Sequence, residues 1–181
     1  MKPIFFELVP FKATQQTDAL SLHGKVTRTQ HHLSIQYQLS GDLNSVNIPS
    51  IGTGGDRRDR LWEKTCFEYF LRLADRSQTR YWEINLSPCG DWNVFSLSNY
   101  RDDLQAEMAI AHIPFQVNLA PNELQLDISM DIAPLVGNQN IQVGISTVLI
   151  IAGEKSYWAI AHPAPQADFH HPDSFAIPLT A

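Results

Sequence analysis

The chain has 181 residues, of which 44% are hydrophobic and only 18% charged, and its net charge is −6. One domain of that length buries roughly 70% of the surface its unfolded chain exposes, so it needs no disulfide or metal staple to fold. The apolar content excludes disorder, the lack of a basic stripe argues against a nucleic-acid partner, and no apolar run nears the ~18 residues of a membrane span. A single domain over residues 1–181 is expected.

At the N-terminus, Ile4, Phe5 and Phe6 are interrupted by Glu7, too soon for a secretory leader, which predicts a cytoplasmic chain. Strict alternation of Leu33, Ile35, Tyr37 and Leu39 with polar residues predicts a half-buried strand. Residues 49–60, rich in Gly and Arg, predict a mobile surface loop. Two aromatic-rich strands are expected over 65–73 and 81–87, and the best helical window is 101–109. Leu124, Leu126 and Ile128 mark another half-buried strand, 130–136 has room for one helical turn, and the apolar run 141–151 belongs at the centre of a sheet. A last strand over 157–161 follows a turn at 153–156. Many short strands with turn signals about every ten residues predict an all-β antiparallel sandwich or barrel. Cys66 and Cys89 form no CxxC pair and read as buried thiols of a reducing compartment.

The segments LWEKTCFEYFLRL (61–73) and YWEINLSPCGDW (81–92) carry the chemistry. Phe67, Tyr69, Leu71 and Leu73 alternate with Cys66, Glu68, Phe70 and Arg72; Trp82, Ile84 and Leu86 alternate with Tyr81, Glu83 and Asn85. If the apolar sets share one core, Glu68, Arg72, Tyr81, Glu83 and Asn85 line the opposite sheet face, with Glu68 opposite or diagonal to Asn85. Such a face suits a sugar, whose C–H faces stack on aromatic rings and whose hydroxyls pair with carboxylate, amide and guanidinium groups. Trp62 and Trp92 are candidate platforms, and Arg57, Arg58 and Arg60 candidate donors. The same residues also fit an arrangement in which the tryptophans are core and Glu68 pairs with Arg72. The C-terminal run 157–175 carries Trp158, His162, Asp168, His170 and His171. Its spacing matches no zinc pattern, and it is expected as a loop over one end of the sandwich, with Asp168 accepting backbone hydrogen bonds and a histidine as cap.

Three runs, RDRLWEKTCFEYFL (58–71), YWEINLSPCGDWNVFSLSNYR (81–101) and YWAIAHPAPQADFHHPDSF (157–175), together resemble bacterial DOMON-like proteins, which are similar to family 9 carbohydrate-binding modules. The resemblance implies an immunoglobulin-like antiparallel β-sandwich whose relatives bind sugars or haem. It implies a sugar-facing role for Trp62, Glu68 and Asn85, with Trp158 as a candidate second wall of an aromatic clamp. The 168–171 run belongs to the DOMON-like subgroup and not to the sugar binders.

The expected function is a non-catalytic module for a carbohydrate or glycosylated metabolite. Trp62 would stack the ligand together with Trp92 or Trp158, and Glu68, Asn85, Arg57 and Arg58 would hydrogen-bond it. Tyr81, His162, Asp168 and His170 complete the candidate ligand-binding set. No catalytic residue, resident metal or cofactor is assigned. Three alternatives remain: a haem domain with an axial ligand from Met108, Met130, His112 or His162, a glycoside-processing enzyme using Glu68 and Glu83, and a protein-interaction scaffold.

Overall fold

Hydrophobic alternation sets which face of each strand is buried, and the chain uses two different patterns. In a computed structural model that describes residues 2–52 and 54–181, the strands β2 (Leu20–Thr29), β3 (His32–Gly41) and β9 (Glu123–Asp131) alternate buried and accessible residues. Their outward side chains are accessible and pair across strands, as when Gln36 and Gln38 donate to Asp127 and Glu123. By contrast, β4 (Cys66–Leu73), β5 (Tyr81–Leu86) and β6 (Trp92–Leu97) are buried on both faces over most of their length. A strand buried twice needs cover on its second side.

The described residues form twelve strands, eleven in one antiparallel path folded over on itself and one beside it. The first layer runs β8 (Phe115–Ala120), β9, β3, β2 and the start of β1 (Ile4–Pro10). The second runs β7 (Gln105–Ala106), β6, β5, β4, β10 (Ile141–Ile151) and β11 (Glu154–Ala159), and the end of β1 joins it through Val9 and Pro10. β12 (Ile177–Leu179) continues the β11 side of β10. The fold is therefore the expected antiparallel β-sandwich. Its main core holds Tyr37, Leu39, Leu124 and Leu126 from the first layer against Phe67, Tyr69, Leu71, Trp82 and Ile84 from the second. Two hydroxyls tie the layers: Tyr37 donates to the Glu68 carbonyl at 2.7 Å, and Tyr69 donates to Met130 Sδ at 3.0 Å.

Several local expectations change. The 101–109 window is no helix: Arg101 and Asp103 adopt positive φ, Leu104 and Met108 are exposed, and only β7 is regular. The last long strand starts at Glu154, because Ala152 and Gly153, both at positive φ, make a two-residue hairpin turn that matches strand twist. The 49–60 loop is fastened: the Gly55 and Asp56 N–H groups donate to Asp91, Gly54 N–H donates to the Cys89 carbonyl, and Arg58 N–H donates to the Trp92 carbonyl. Thr53, inside that loop, lies outside the described residues, as does Met1. The C-terminal segment crosses a face of the second layer, where one end of the sandwich was expected. There Phe169 and Phe175 join Phe70, Tyr81, Phe95, Leu97 and Val148 in a second apolar cluster. Among the described residues no helix is long and apolar enough to cross a membrane.

Candidate functional site

The outer face of the second layer carries a polar row across four strands. Register sets Ser146 of β10 against Glu68 of β4, Glu68 against Asn85 of β5, and Asn85 against Asn93 of β6. One step along the strands, Glu83 lies diagonal to Glu68 and opposite Phe70. The face parity follows from Phe67, Tyr69, Leu71, Trp82, Ile84 and Leu86, which all enter the main core.

Most of this row is satisfied by its neighbours. Asn85 Nδ2 donates to Glu83 Oε1 at 2.8 Å, and Asn93 Nδ2 donates to the Arg58 carbonyl and to Asp59. Glu68 and Ser146 are the exceptions. Among the described residues, Glu68 Oε1 and Ser146 Oγ are buried with no hydrogen-bond partner, although Glu68 is only 3% exposed. Arg72, the partner considered for Glu68, instead donates to Gln142 at 2.8 Å and lies over the Phe175 ring. A buried carboxyl oxygen without a donor is costly and marks a position that a ligand group can satisfy.

Glu68 lines a cleft of about 390 Å³ together with Glu83, Trp62, Tyr157, Phe169, His170, Arg101 and Lys155. The volume falls within the ordinary range of small-molecule pockets. Trp62 stands edge-on to Phe95 at 5.7 Å, and Tyr157 edge-on to Phe169 at 6.0 Å, so each ring is braced and half-exposed.

Electrostatics divides the two carboxyls. Burial, and then the neighbouring Glu83 charge, pushes Glu68 well above the usual carboxylate range, with Lys155 working against the shift. Burial also raises Glu83, but the Asn85 donor and Arg101 favour its ionised form. His170 is held neutral by burial, its pKa lowered to about 4 with Arg101 adding to the effect. Its Nδ1 is 2.8 Å from the Tyr81 hydroxyl, which accepts from the Arg101 N–H. Its Nε2 lies 3.7 Å from Glu83 Oε2, too far for a hydrogen bond, and with a neutral imidazole the contact is no ion pair. At the rim, Asp168 accepts from Tyr100 at 2.5 Å, from Arg101 at 2.8 Å and from the His170 N–H at 3.1 Å. Asp168 thus anchors the segment that delivers His170.

The structure gathers Trp62, Glu68 and His170 at the cleft, with Asn85, Tyr81 and Asp168 supporting it from behind or from the rim. It separates the other sequence candidates. Trp92 and Trp158 are 3% and 2% exposed in the main core, because their strand parity is that of Leu86 and Thr147, opposite to Glu68; neither presents a ring to the cleft. Arg57 lies 4.4 Å over Trp92, with its guanidinium donating to Asn93 and to the carbonyls of Glu107 and Ile110. Arg58 pairs with Asp56 at the surface. His162 lies within hydrogen-bond distance of the Val9 carbonyl and stacks edge-on with Phe11. Of the haem-ligand candidates, Met130 is in the core against Tyr69, Met108 is 74% exposed, and His112 stacks edge-on against Trp92. Among the described residues no group of three His, Cys, Asp or Glu side chains converges on a metal position. Sequence reasoning missed Arg101, Lys155, Tyr157 and Phe169 at the cleft. Period-two parity with Ala159 would have placed Lys155 and Tyr157 on the Glu68 face.

No protein-family model matches the chain, and no curated protein matches it in sequence. Its fold is shared by solved structures. A candidate carbohydrate-binding protein from Bacteroides uniformis ATCC 8492 superposes with a TM-score of 0.65 at 11% identity, over 93% of this chain and 83% of that one. A family 9 carbohydrate-binding module from Caldicellulosiruptor kristjanssonii, solved with cellotriose, superposes with a TM-score of 0.53 at 8% identity, over 90% and 74% of the two chains. At such identities the likeness is one of fold.

Proposed function

We propose that the chain is a non-catalytic carbohydrate-binding module whose ligand enters the cleft over Glu68. The observation that carries this reading is that Glu68, whose Oε1 is buried without a partner among the described residues, lines a cleft that the half-exposed rings of Trp62 and Tyr157 also line. A sugar ring supplies both complements: C–H faces for the aromatic walls, and hydroxyls that donate to Glu68 and Glu83 or accept from Arg101 and Lys155. A protonated Glu68 also donates, which suits a hydroxyl that both gives and takes. The fold neighbours, one a candidate carbohydrate-binding protein and one holding cellotriose, support this branch of the DOMON-like resemblance over the haem branch.

A second reading rests on the paired carboxyls. Glu68 is pushed up by burial and by Glu83, while Asn85 and Arg101 oppose the rise at Glu83, so the two carboxyls differ in environment as an acid and a base in glycoside hydrolysis do. A thermal-shift panel of mono- and oligosaccharides, followed by calorimetry and a product assay, separates the two. The module reading predicts a melting point that climbs with the logarithm of ligand concentration for one sugar class. Trp62→Ala should weaken that binding by at least about tenfold, or ~1.4 kcal/mol, and Glu68→Gln should weaken it with no product formed by either protein. Product formed by the native chain and lost in Glu68→Gln would transfer the site to the enzyme reading.

A further inference from the structure

The strand order has two ends, and the chain protects them unequally. At one end β7 has two residues, both exposed, with Asp103 shortly before it and Glu107 directly after it, so its free edge is short and flanked by charge. At the other end β8 has six residues, none of them charged and none a proline. Folded proteins ordinarily blunt such an edge, because its free N–H and C=O groups template another strand.

Register identifies those groups. Ser129 N–H donates to the Pro114 carbonyl, and Ala120 faces Glu123 across the two-residue turn of Pro121 and Asn122. Hydrogen-bonded pairs alternate along an antiparallel ladder. Gln116, Asn118 and Ala120 therefore turn their backbone groups toward β9, and Phe115, Val117 and Leu119 turn theirs outward. Among the described residues no strand lies beyond them. The side chains of the same three residues share the inner face of the first layer with Ile128, Leu126 and Leu124, yet the core covers them incompletely. Phe115 and Val117 are half-buried, Leu119 is 50% exposed, and the first two line a groove of about 790 Å³ with Ile51, Pro88 and Ile113.

The sequence of β8 is complementary to itself. Antiparallel pairing about a two-fold axis at Val117 sets Phe115 of one copy against Leu119 of the other and Val117 against Val117. That register engages the whole outward row in about six backbone hydrogen bonds. On one face apolar side chains then meet apolar ones. On the other, Gln116 faces Asn118, and each amide has a donor and an acceptor for its counterpart. Two chains of net charge −6 repel wherever acidic surfaces approach, and β8 brings them together with no charge in the paired strands. We propose that the chain forms a two-fold homodimer by pairing β8 with β8, joining the two first layers into one continuous antiparallel sheet. β8 and its groove share no residue with the cleft that Glu68 lines, so the proposal stands apart from the carbohydrate reading.

The test is sedimentation velocity of the full chain from about 1 to 500 µM, with site-resolved amide hydrogen exchange at both ends of that range. The native chain should pass from monomer to dimer, and the Phe115, Val117 and Leu119 amides should gain protection together as it does. Gln116→Lys/Asn118→Lys sets ammonium groups opposite one another across the axis, while within each copy they face Asp127 and Gln125. Both positions are exposed, so the fold should persist, and an unchanged melting point at a concentration where both proteins are monomeric checks this. The dissociation constant should rise at least about tenfold. Mixing with Gln116→Glu/Asn118→Glu should restore a dimer that contains one copy of each. A chain monomeric throughout the range would overturn the proposal and leave the edge to an extended strand of another protein. A dimer that Gln116→Lys/Asn118→Lys does not weaken, or one whose three amides exchange as in the monomer, would overturn it by placing the contact on another surface.

Discussion

Glu68 carries most of the meaning of the site, and its environment has a measurable consequence. Its carboxyl titrates higher in the folded chain than in the unfolded chain, because burial and then Glu83 disfavour the charge. Between the two pKa values the folded state holds more protons, so stability falls as pH rises through that window and is complete only below the unfolded value of about 4.5. Glu68→Gln keeps the shape and removes the titration. At pH 7 the variant should melt above the native chain, by an amount of order 1–3 kcal/mol or about 2–4 °C per kcal/mol. The two curves should converge near pH 4. Melting curves from pH 4 to 8 check this; a loss of stability in the variant that grows as pH rises would show that Glu68 is held charged by a strong partner. A gain in stability from losing a residue that binding needs is the usual sign of a site in which the ligand, not the fold, satisfies the group.

At the scale of elements, the β4–β5 pair is legible in the amino-acid sequence because its two apolar sets admit one core and therefore one parity. That parity puts Glu68 opposite or diagonal to Asn85, and the register sets them opposite. The same rule, applied to Trp92 and Trp158, sends both to the core; reading them as platforms gives weight to their side-chain type and none to their position in the strand. Tyr157, Lys155 and Phe169 are hidden for a different reason. They reach Glu68 only because β11 lies beside β10, β10 beside β4, and the C-terminal segment folds back over all three. The β10–β11 hairpin is local, but the β10–β4 pairing and the return of the C-terminal segment are not, so no single window along the chain displays the whole set. The glycine at position 24 gives a prediction at this scale. A Cβ there would meet the Gln36 carbonyl oxygen of β3 at 1.9 Å and Phe6 Cζ at 2.5 Å. Backbone cannot retreat from such a contact without opening the β2–β3 ladder. Gly24→Ala should therefore destabilise by at least about 1–3 kcal/mol in a denaturant titration. An alanine variant as stable as the native chain would mean that β2 and β3 are not held at this register.

Over the whole molecule, the two layers differ in what covers them. The first presents an accessible, hydrogen-bonded outer face; the second is roofed in part by residues 157–175, whose Ala167, Phe169 and His170 line the cleft together with Glu68. That asymmetry creates the cleft, which Glu68 and Glu83 line from the sheet and Phe169 and His170 from the roof. The roof itself is visible in the sequence as a Pro- and His-rich run, but its place on a face is set by Phe169 and Phe175 meeting the outward aromatics of β4, β5 and β6.

Of the chain's four tryptophans, Trp82, Trp92 and Trp158 are buried in the core, so Trp62 alone can touch a ligand. Tryptophan emission therefore reports directly on the cleft. The decisive measurement is a fluorescence titration of the native chain and of Trp62→Phe with the sugar that most raises the melting point. The account predicts a saturable change in native emission, with a midpoint matching calorimetry, that is absent in Trp62→Phe. A change that persists undiminished in Trp62→Phe, or sugar binding that leaves native emission untouched, would contradict a site over Glu68.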